Sequence, residues 1–141
     1  MLEWLVVERL VISAVLGGLI GVEREMHDKP AGFRTHVLVC TGASMFALIS
    51  LLIGQEFASS VDVSRVVAGV VTGIGFLAAG SIFRAKDHIK GLTTAADIWV
   101  LAGIGLASGL GYYALAVVAT IISLVVLIAG RVLDYYLSKR E

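Results

Sequence analysis

The chain has 141 residues, of which 58% are hydrophobic and only 16% charged, and its mean hydropathy of +0.94 lies far above that of a soluble domain. Its 11 basic and 11 acidic residues cancel, so no charge excess favours nucleic acid, and no basic run alternates with aromatic residues. This composition excludes an ordinary water-soluble enzyme and points to one transmembrane domain, residues 1–141, whose burying medium is lipid.

A spanning helix needs about 20 mainly apolar residues. The first window that qualifies is Leu5–Val22; the residues that lead into and begin it carry Glu3 and Glu8, it lacks an early positive cluster and a clean small-residue cleavage pattern, and it reads as a retained helix and not a signal peptide. It carries Gly17-x-x-x-Gly21, a spacing that lets helix backbones approach closely in a bilayer. The polar connection Glu23–Arg34 contains the helix breakers Pro30 and Gly32. The second window, Thr35–Ile53, holds the only cysteine, Cys40, which can form no intrachain disulfide. The polar segment Gly54–Val63 leads to the third window, Ser64–Phe83, with Gly69-x-x-x-Gly73 and Gly75-x-x-x-Ala79. The basic segment Arg84–Leu92 leads to the fourth, Thr93–Leu110, with Gly105-x-x-x-Gly109. Little more than Gly111 separates it from the fifth, Tyr112–Gly130, which is dominated by Ala, Val, Leu and Ile. None of these windows alternates with period two over a strand length, so the fold class is all-α: a polytopic membrane helix bundle of about five transmembrane helices.

Short connections make successive helices antiparallel, and basic residues resist translocation. Arg24, Lys29 and Arg34, then Arg84, Lys86 and Lys90, then Arg131, Lys139 and Arg140 all fall on one side of a five-helix chain. That places the N-terminus outside and the C-terminus in the cytoplasm, with Tyr135 and Tyr136 as an interfacial anchor. The small-residue spacings further predict that helices one, three and four form the tight interior, through Gly17, Gly21, Gly69, Gly73, Gly75, Gly105 and Gly109, with helix five more peripheral.

A charge inside a membrane is costly, so each one calls for an explanation. Asp97 lies about one turn inside the cytoplasmic end of helix four. It is read in three ways: as the distal member of a Thr94-x-x-Asp97 capping box, as an interior carboxylate able to bind a proton or metal ion, or as the partner of a loop arginine. Glu8 and Arg9 are adjacent and point to different sides; Arg9 is expected to snorkel outward or meet Glu56 or Asp62, at the membrane face opposite Asp97. Glu23, Arg24, Arg34, His36, Thr94 and Asp97 form a candidate polar cluster at the cytoplasmic face, joined by Glu25, His27, Asp28, Lys29, Arg84 and Asp87. Its carboxylates could coordinate Mg²⁺, which takes oxygen ligands, or the cluster could be a solvated loop knitted by ion pairs, since neither spacing nor count specifies a metal site. No Walker lysine motif, zinc spacing or nucleophile triad occurs, so no catalytic residues and no bound cofactor are expected. Lys90-Gly91-Leu92-Thr93-Thr94 only superficially resembles a phosphate loop, although an anion could rest on the amino end of helix four.

Gly17-Gly18-Leu19-Ile20-Gly21 with Glu23 and Arg24, Lys29-Pro30-Ala31-Gly32-Phe33-Arg34-Thr35-His36, Cys40-Thr41-Gly42-Ala43, Thr72-Gly73-Ile74-Gly75-Phe76-Leu77, Lys90-Gly91-Leu92-Thr93-Thr94-Ala95-Ala96, Trp99 and Gly103-Ile104-Gly105-Leu106 follow one another in order. This series resembles the MgtC/SapB family of bacterial membrane proteins, with matches from about residue 10 to 115. The resemblance implies a multi-pass inner-membrane protein connected with growth under magnesium limitation. One relative is thought to restrain the F-type ATP synthase, which suits a regulator better than a pump. Longer members carry a soluble domain after the membrane part; the sequence ends at Glu141, so it is expected to be a short member without that domain. Gly69 stands where the family leads one to expect glutamine, and Ala78 where it leads one to expect glycine. The leading expectation is a non-enzymatic protein that supports adaptation to low Mg²⁺ through contacts with other membrane proteins, among which the ATP synthase is a candidate. The alternative is a permease for Mg²⁺ or another small cation or solute. Either would be served by a homo-oligomer in the lipid bilayer.

Overall fold

The computed structural model describes residues 2–56, 62–85 and 88–139. Lys86, Asp87 and Arg140, which contribute to the expected polar and basic segments, lie outside the described residues. The chain forms α1 (Leu2–Glu25), α2 (Phe33–Glu56), α3 (Val63–Gly80), a short hairpin of β1 (Phe83–Ala85) and β2 (His88–Lys90), α4 (Leu92–Leu110) and α5 (Tyr113–Ser138). All five helices are long and apolar enough to cross a membrane, so the protein is a polytopic membrane helix bundle.

The helix ends follow local chemistry. Beyond α1 the amides of His27 and Lys29 both turn back to the Arg24 carbonyl, Asp28 takes a left-handed φ of 51°, and Pro30 blocks any continuation. The Asp62 carboxylate caps α3 by accepting from the Ser64 amide at 3.0 Å and the Ser64 hydroxyl at 2.6 Å; these bonds hold the exposed carboxyl below its usual range. At the far end of α4, Gly111 has φ 86°; its amide bonds Ser108 O at 3.0 Å and the Tyr112 amide bonds Ala107 O at 2.8 Å, the paired pattern of a Schellman stop.

The third helix is shorter than the window Ser64–Phe83 suggests. It ends at Gly80, where the Ser81 hydroxyl donates to Ala78 O at 2.7 Å and draws off a terminal carbonyl. Ile82 and Phe83, β-branched and aromatic, then lead into the hairpin, in which Phe83 faces Lys90, Arg84 faces Ile89 and Ala85 faces His88. Strands of three residues are too short for alternation to reveal in a sequence.

The interior differs from the expected one. It is built by α1, α2 and α4, with α2 in the position that the glycine spacings assign to α3. Ile20 of α1, Cys40 of α2 and Leu101 and Ile104 of α4 meet at its centre, all essentially inaccessible, and Ala43 and Ala47 of α2 pack on Ala102 and Leu106 of α4. In the spanning stretch of α4, 61% of residues are buried, against 11% in both α3 and α5. Glycine works here as a point of close approach to a small but not glycine-rich partner. A Cβ on Gly17 would fall 2.7 Å from Cys40 Cβ, one on Gly21 would fall 2.7 Å from Phe33 Cα, and one on Gly105 or Gly109 would run into the carbonyl of Cys40 or Ser44. By contrast, a Cβ on Gly69, Gly73 or Gly75 would meet nothing within 4 Å, so these three do not pack the interior of the chain. A sequence shows that a helix can offer a close approach; it does not show which neighbour accepts.

A valine at a packed glycine therefore has to displace backbone, whereas a valine on the open face of α3 does not. Gly105→Val is expected to destabilise the detergent-solubilised protein by about 1–3 kcal/mol or more. Gly73→Val should leave the thermal unfolding midpoint nearly unchanged, and comparison of the two midpoints with the parent decides the point.

Candidate functional site

Three helix ends converge on one buried cluster. Arg24 comes from the last turn of α1, His36 from the first turn of α2, and Thr94 and Asp97 from the first two turns of α4. Their exposures are 4%, 0%, 2% and 6%, so bulk solvent satisfies none of them. The Arg24 guanidinium donates through Nη2 to Thr94 Oγ1 at 3.1 Å and places Nε 3.5 Å from Asp97 Oδ2. His36 bridges α2 to α4: its Nε2 is 2.9 Å from Asp97 Oδ2, and its Nδ1 is 2.8 Å from the carbonyl of Gly32. Glu23 flanks the group, with Oε2 3.9 Å from Arg24 Nη1 and Oε1 3.0 Å from Arg131 Nη2, which ties α5 to α1. His27 adds a 3.6 Å contact to Glu23 Oε1.

This geometry rules out the capping box. The N-cap of α4 is Gly91 at φ 90°, three residues before the expected cap Thr94, at a position where a Cβ would collide with the Ser81 carbonyl. Thr94 is consequently inside the helix and its hydroxyl accepts from Arg24, while Asp97 is engaged by two cation-forming side chains. The position near the amino end of α4 still favours a carboxylate there. Arg34 does not join the buried cluster. It is exposed and lines an open surface pocket of about 440 Å³ with Glu25, Asp28 and Lys29. The first residue of α2 sets this orientation, because the Phe33 amide is fixed by Glu25 Oε2 at 2.8 Å.

The opposite end of the bundle also departs from expectation. Arg9 does not meet Asp62, whose carboxylate is occupied by Ser64; the side chain of Glu56 lies outside the described residues. Instead Arg9 Nη1 donates to the Gly109 carbonyl at 2.7 Å and its guanidinium lies against Gly111, so it caps the C-terminal end of α4, where the helix dipole favours a cation. Helix α4 is thus held at one end by Arg24 and at the other by Arg9, both supplied by α1. Glu8 is exposed beside Arg9.

The donor set of the cluster does not suit a hard divalent cation. Asp97 and Glu23 each face a guanidinium, and among the described residues no group of three His, Cys, Asp or Glu side chains converges. What the cluster does is tie three helices in register through its hydrogen bonds and ion pairs. The sequence brings Arg24, His36 and Asp97 to one membrane face, but it does not reveal the contacts His36–Asp97, Glu23–Arg131 and Arg9–Gly109 O. The only signal for the first is an acid and a base, each isolated in an apolar helix and assigned to the same side.

A bundle of spanning helices around a charge-compensated buried seam defines a polytopic membrane protein. Comparison with known families makes the class specific: the MgtC family model matches residues 10–136, and the chain belongs to the MgtC family. YhiD of Escherichia coli K12, provisionally named a magnesium transporter, is 42% identical over 137 residues, covering 94% of this chain and 64% of that protein. MgtC of Salmonella typhimurium LT2 is 44% identical over 115 residues, covering 82% of this chain and 48% of MgtC. A Haemophilus influenzae protein is 39% identical over 127 residues, covering 86% of this chain and 53% of that protein. The chain therefore spans between about half and two thirds of the length of these relatives. No solved structure matches it.

Removing one partner from a buried charge group leaves the other uncompensated. Arg24→Ala should destabilise the protein by about 3–5 kcal/mol, while Arg34→Ala, at an exposed position, should change stability by less than about 0.5 kcal/mol. Thermal or denaturant unfolding in the same detergent tests the contrast, and equal losses at the two positions would refute it.

Proposed function

We propose that this MgtC-family chain is a non-enzymatic protein of the bacterial inner membrane that supports adaptation to low Mg²⁺ through contacts with other membrane proteins and with copies of itself. The supporting observation is the contrast between its two sides. The α1–α2–α4 interior is filled and its charges are internally compensated, whereas on α3 a Cβ added at Gly69, Gly73 or Gly75 would touch nothing within 4 Å, and Gly69 and Gly73 line an open groove toward α2. Glycines that serve no packing within a chain are suited to close approach by another helix. The F-type ATP synthase is the candidate partner that the family resemblance suggests. Orientation is part of the proposal: with basic residues clustered at Arg24–Arg34, Arg84–Lys90 and Arg131–Arg140, the N-terminus is outside and the C-terminus cytoplasmic.

Cross-linking in native bacterial membranes tests the interaction reading. A self-adduct or a membrane-protein adduct that Gly73→Val weakens at least severalfold is the expected result. Recovery of no partner and no self-association would defeat the proposal. For orientation, a Cys40→Ser chain with Lys139→Cys should react with an impermeant maleimide only after the inner membrane is opened; labelling of intact spheroplasts would invert the topology.

A permease is the second reading, favoured by the transporter name of YhiD. The centre of a single protomer is closed by Ile20, Leu101 and Ile104, so a polar path would have to run between protomers. Purified protein in Mg²⁺-loaded liposomes separates the two readings: flux abolished by Asp97→Asn supports the permease, and tight vesicles without flux remove it.

A further inference from the structure

The two ring nitrogens of His36 face two oxygens, and the contacts fix how many protons the site must hold. The Gly32 carbonyl, 2.8 Å from Nδ1, can only accept, so Nδ1 carries a hydrogen. Across the 2.9 Å between Nε2 and Asp97 Oδ2, one further proton is needed. It resides on the imidazole, giving an imidazolium opposite a carboxylate, or on the carboxyl, giving a neutral acid donating to a neutral ring. Either way the pair carries one proton more than a neutral imidazole beside an ionised carboxylate. With that proton gone, the remaining ring hydrogen can serve Gly32 or Asp97 but not both, and one buried contact becomes lone pair against lone pair.

The backbone and Cβ of His36 have little room to move away from this conflict. His36 is wholly buried under α1: a Cβ on Gly21 would come 2.9 Å from His36 Cβ, and one on Gly17 would come 2.8 Å from the His36 carbonyl. The groups that face the pair are Arg24 and Glu23 from α1, with His27 on Glu23, Thr94 from α4 beside Asp97 itself, and Arg131 from α5 acting through Glu23. Arg34 of α2 points to the surface. The pair joins residues 61 positions apart and is the polar clasp between the first turn of α2 and the second turn of α4.

We propose that His36 and Asp97 form a buried proton-binding site that clasps α2 to α4 only while one proton is shared between them. The ligand is the proton itself. Loss of the proton as the pH rises turns the clasp into a repulsion and loosens the α2–α4 end of the bundle, while Arg24 stays paired with Asp97. The inference is independent of whether the protein acts through partners or as a permease.

The test uses the full chain in lipid nanodiscs, labelled with ¹⁵N-histidine and ¹³C-aspartate, from pH 5.5 to 9.5. His27→Gln and His88→Gln variants assign the other two histidines. The expected result is that the His36 ring nitrogens and the Asp97 carboxyl change together in one proton-loss step. In a Cys40→Ser chain, spin labels at Arg34→Cys and Thr93→Cys should lose their short-distance population over the same pH range. Asp97→Asn supplies a fixed amide hydrogen to Nε2, so the short distance should persist to pH 9.5 in that variant. A His36 ring that stays a neutral Nε2–H tautomer at every pH overturns the proposal. So does a titration of the pair that leaves the label distance unchanged, or an Asp97→Asn chain that still opens on raising the pH. If Asp97→Asn does not fold, the paired wild-type titration and distance measurement decide the matter alone.

Discussion

A guanidinium removed from water must find its hydrogen-bond acceptors and its counter-charge in the protein, and Arg24 imposes that demand where α1, α2 and α4 meet. Its Nη2 takes Thr94 and its Nε lies beside Asp97, which sets the rotation of α4 about its own axis. Asp97 in turn holds His36, and His36 rests on Gly32 in the loop that follows α1, so the circuit closes on the helix where it began. Moving any one of these helices by a turn would strand a charge in a low-dielectric seam.

The same helix fixes the other end of α4. Arg9 reaches Gly109 O and lies against Gly111, the residue whose left-handed turn allows α4 to stop and α5 to start. Between the two arginines the contacts are close and made by small and apolar residues, with Ser13, Ser44 and Ser108 buried among them. Gly17 and Gly21 admit α2 to α1, Gly105 and Gly109 admit α2 to α4, and Ile20, Cys40, Leu101 and Ile104 fill the space left. In a bilayer the apolar effect between helices is weak, because lipid is as apolar as leucine; backbone proximity and polar ties have to supply the specificity. Those ties are concentrated in three helices, which leaves α3 and α5 with large lipid-accessible faces.

That asymmetry bears on function. With its interior closed, the bundle leaves its polar groups at the helix ends and its open faces on the flanks. The buried end carries the hydrogen-bonded His36–Asp97 pair, and the flank of α3 carries glycines whose side-chain positions are open. These two features lie on different elements, one at the α2–α4 contact and the other on α3.

Much of this fold is legible in the amino-acid sequence. Long apolar runs cannot fold in water, so they determine five spanning helices; Pro30, Gly32 and Gly111 stand where the chain turns; and the family motifs determine membership of the MgtC family. Sequence also brings Arg24, His36 and Asp97 to one end of the bundle, since antiparallel crossings leave no other choice. It does not decide that α2 and not α3 completes the interior, because close packing depends on the receiving surface, and Cys40, Ala43, Ser44 and Ala47 receive glycines without being glycine themselves. Nor does it decide whether Asp97 caps a helix or clasps a histidine, or whether Arg9 faces a loop acid or a helix terminus. Those outcomes turn on a helix that is capped at Gly91 and not at Thr94, and on distances of about 3 Å between residues 61 to 100 positions apart, which only the packed chain sets.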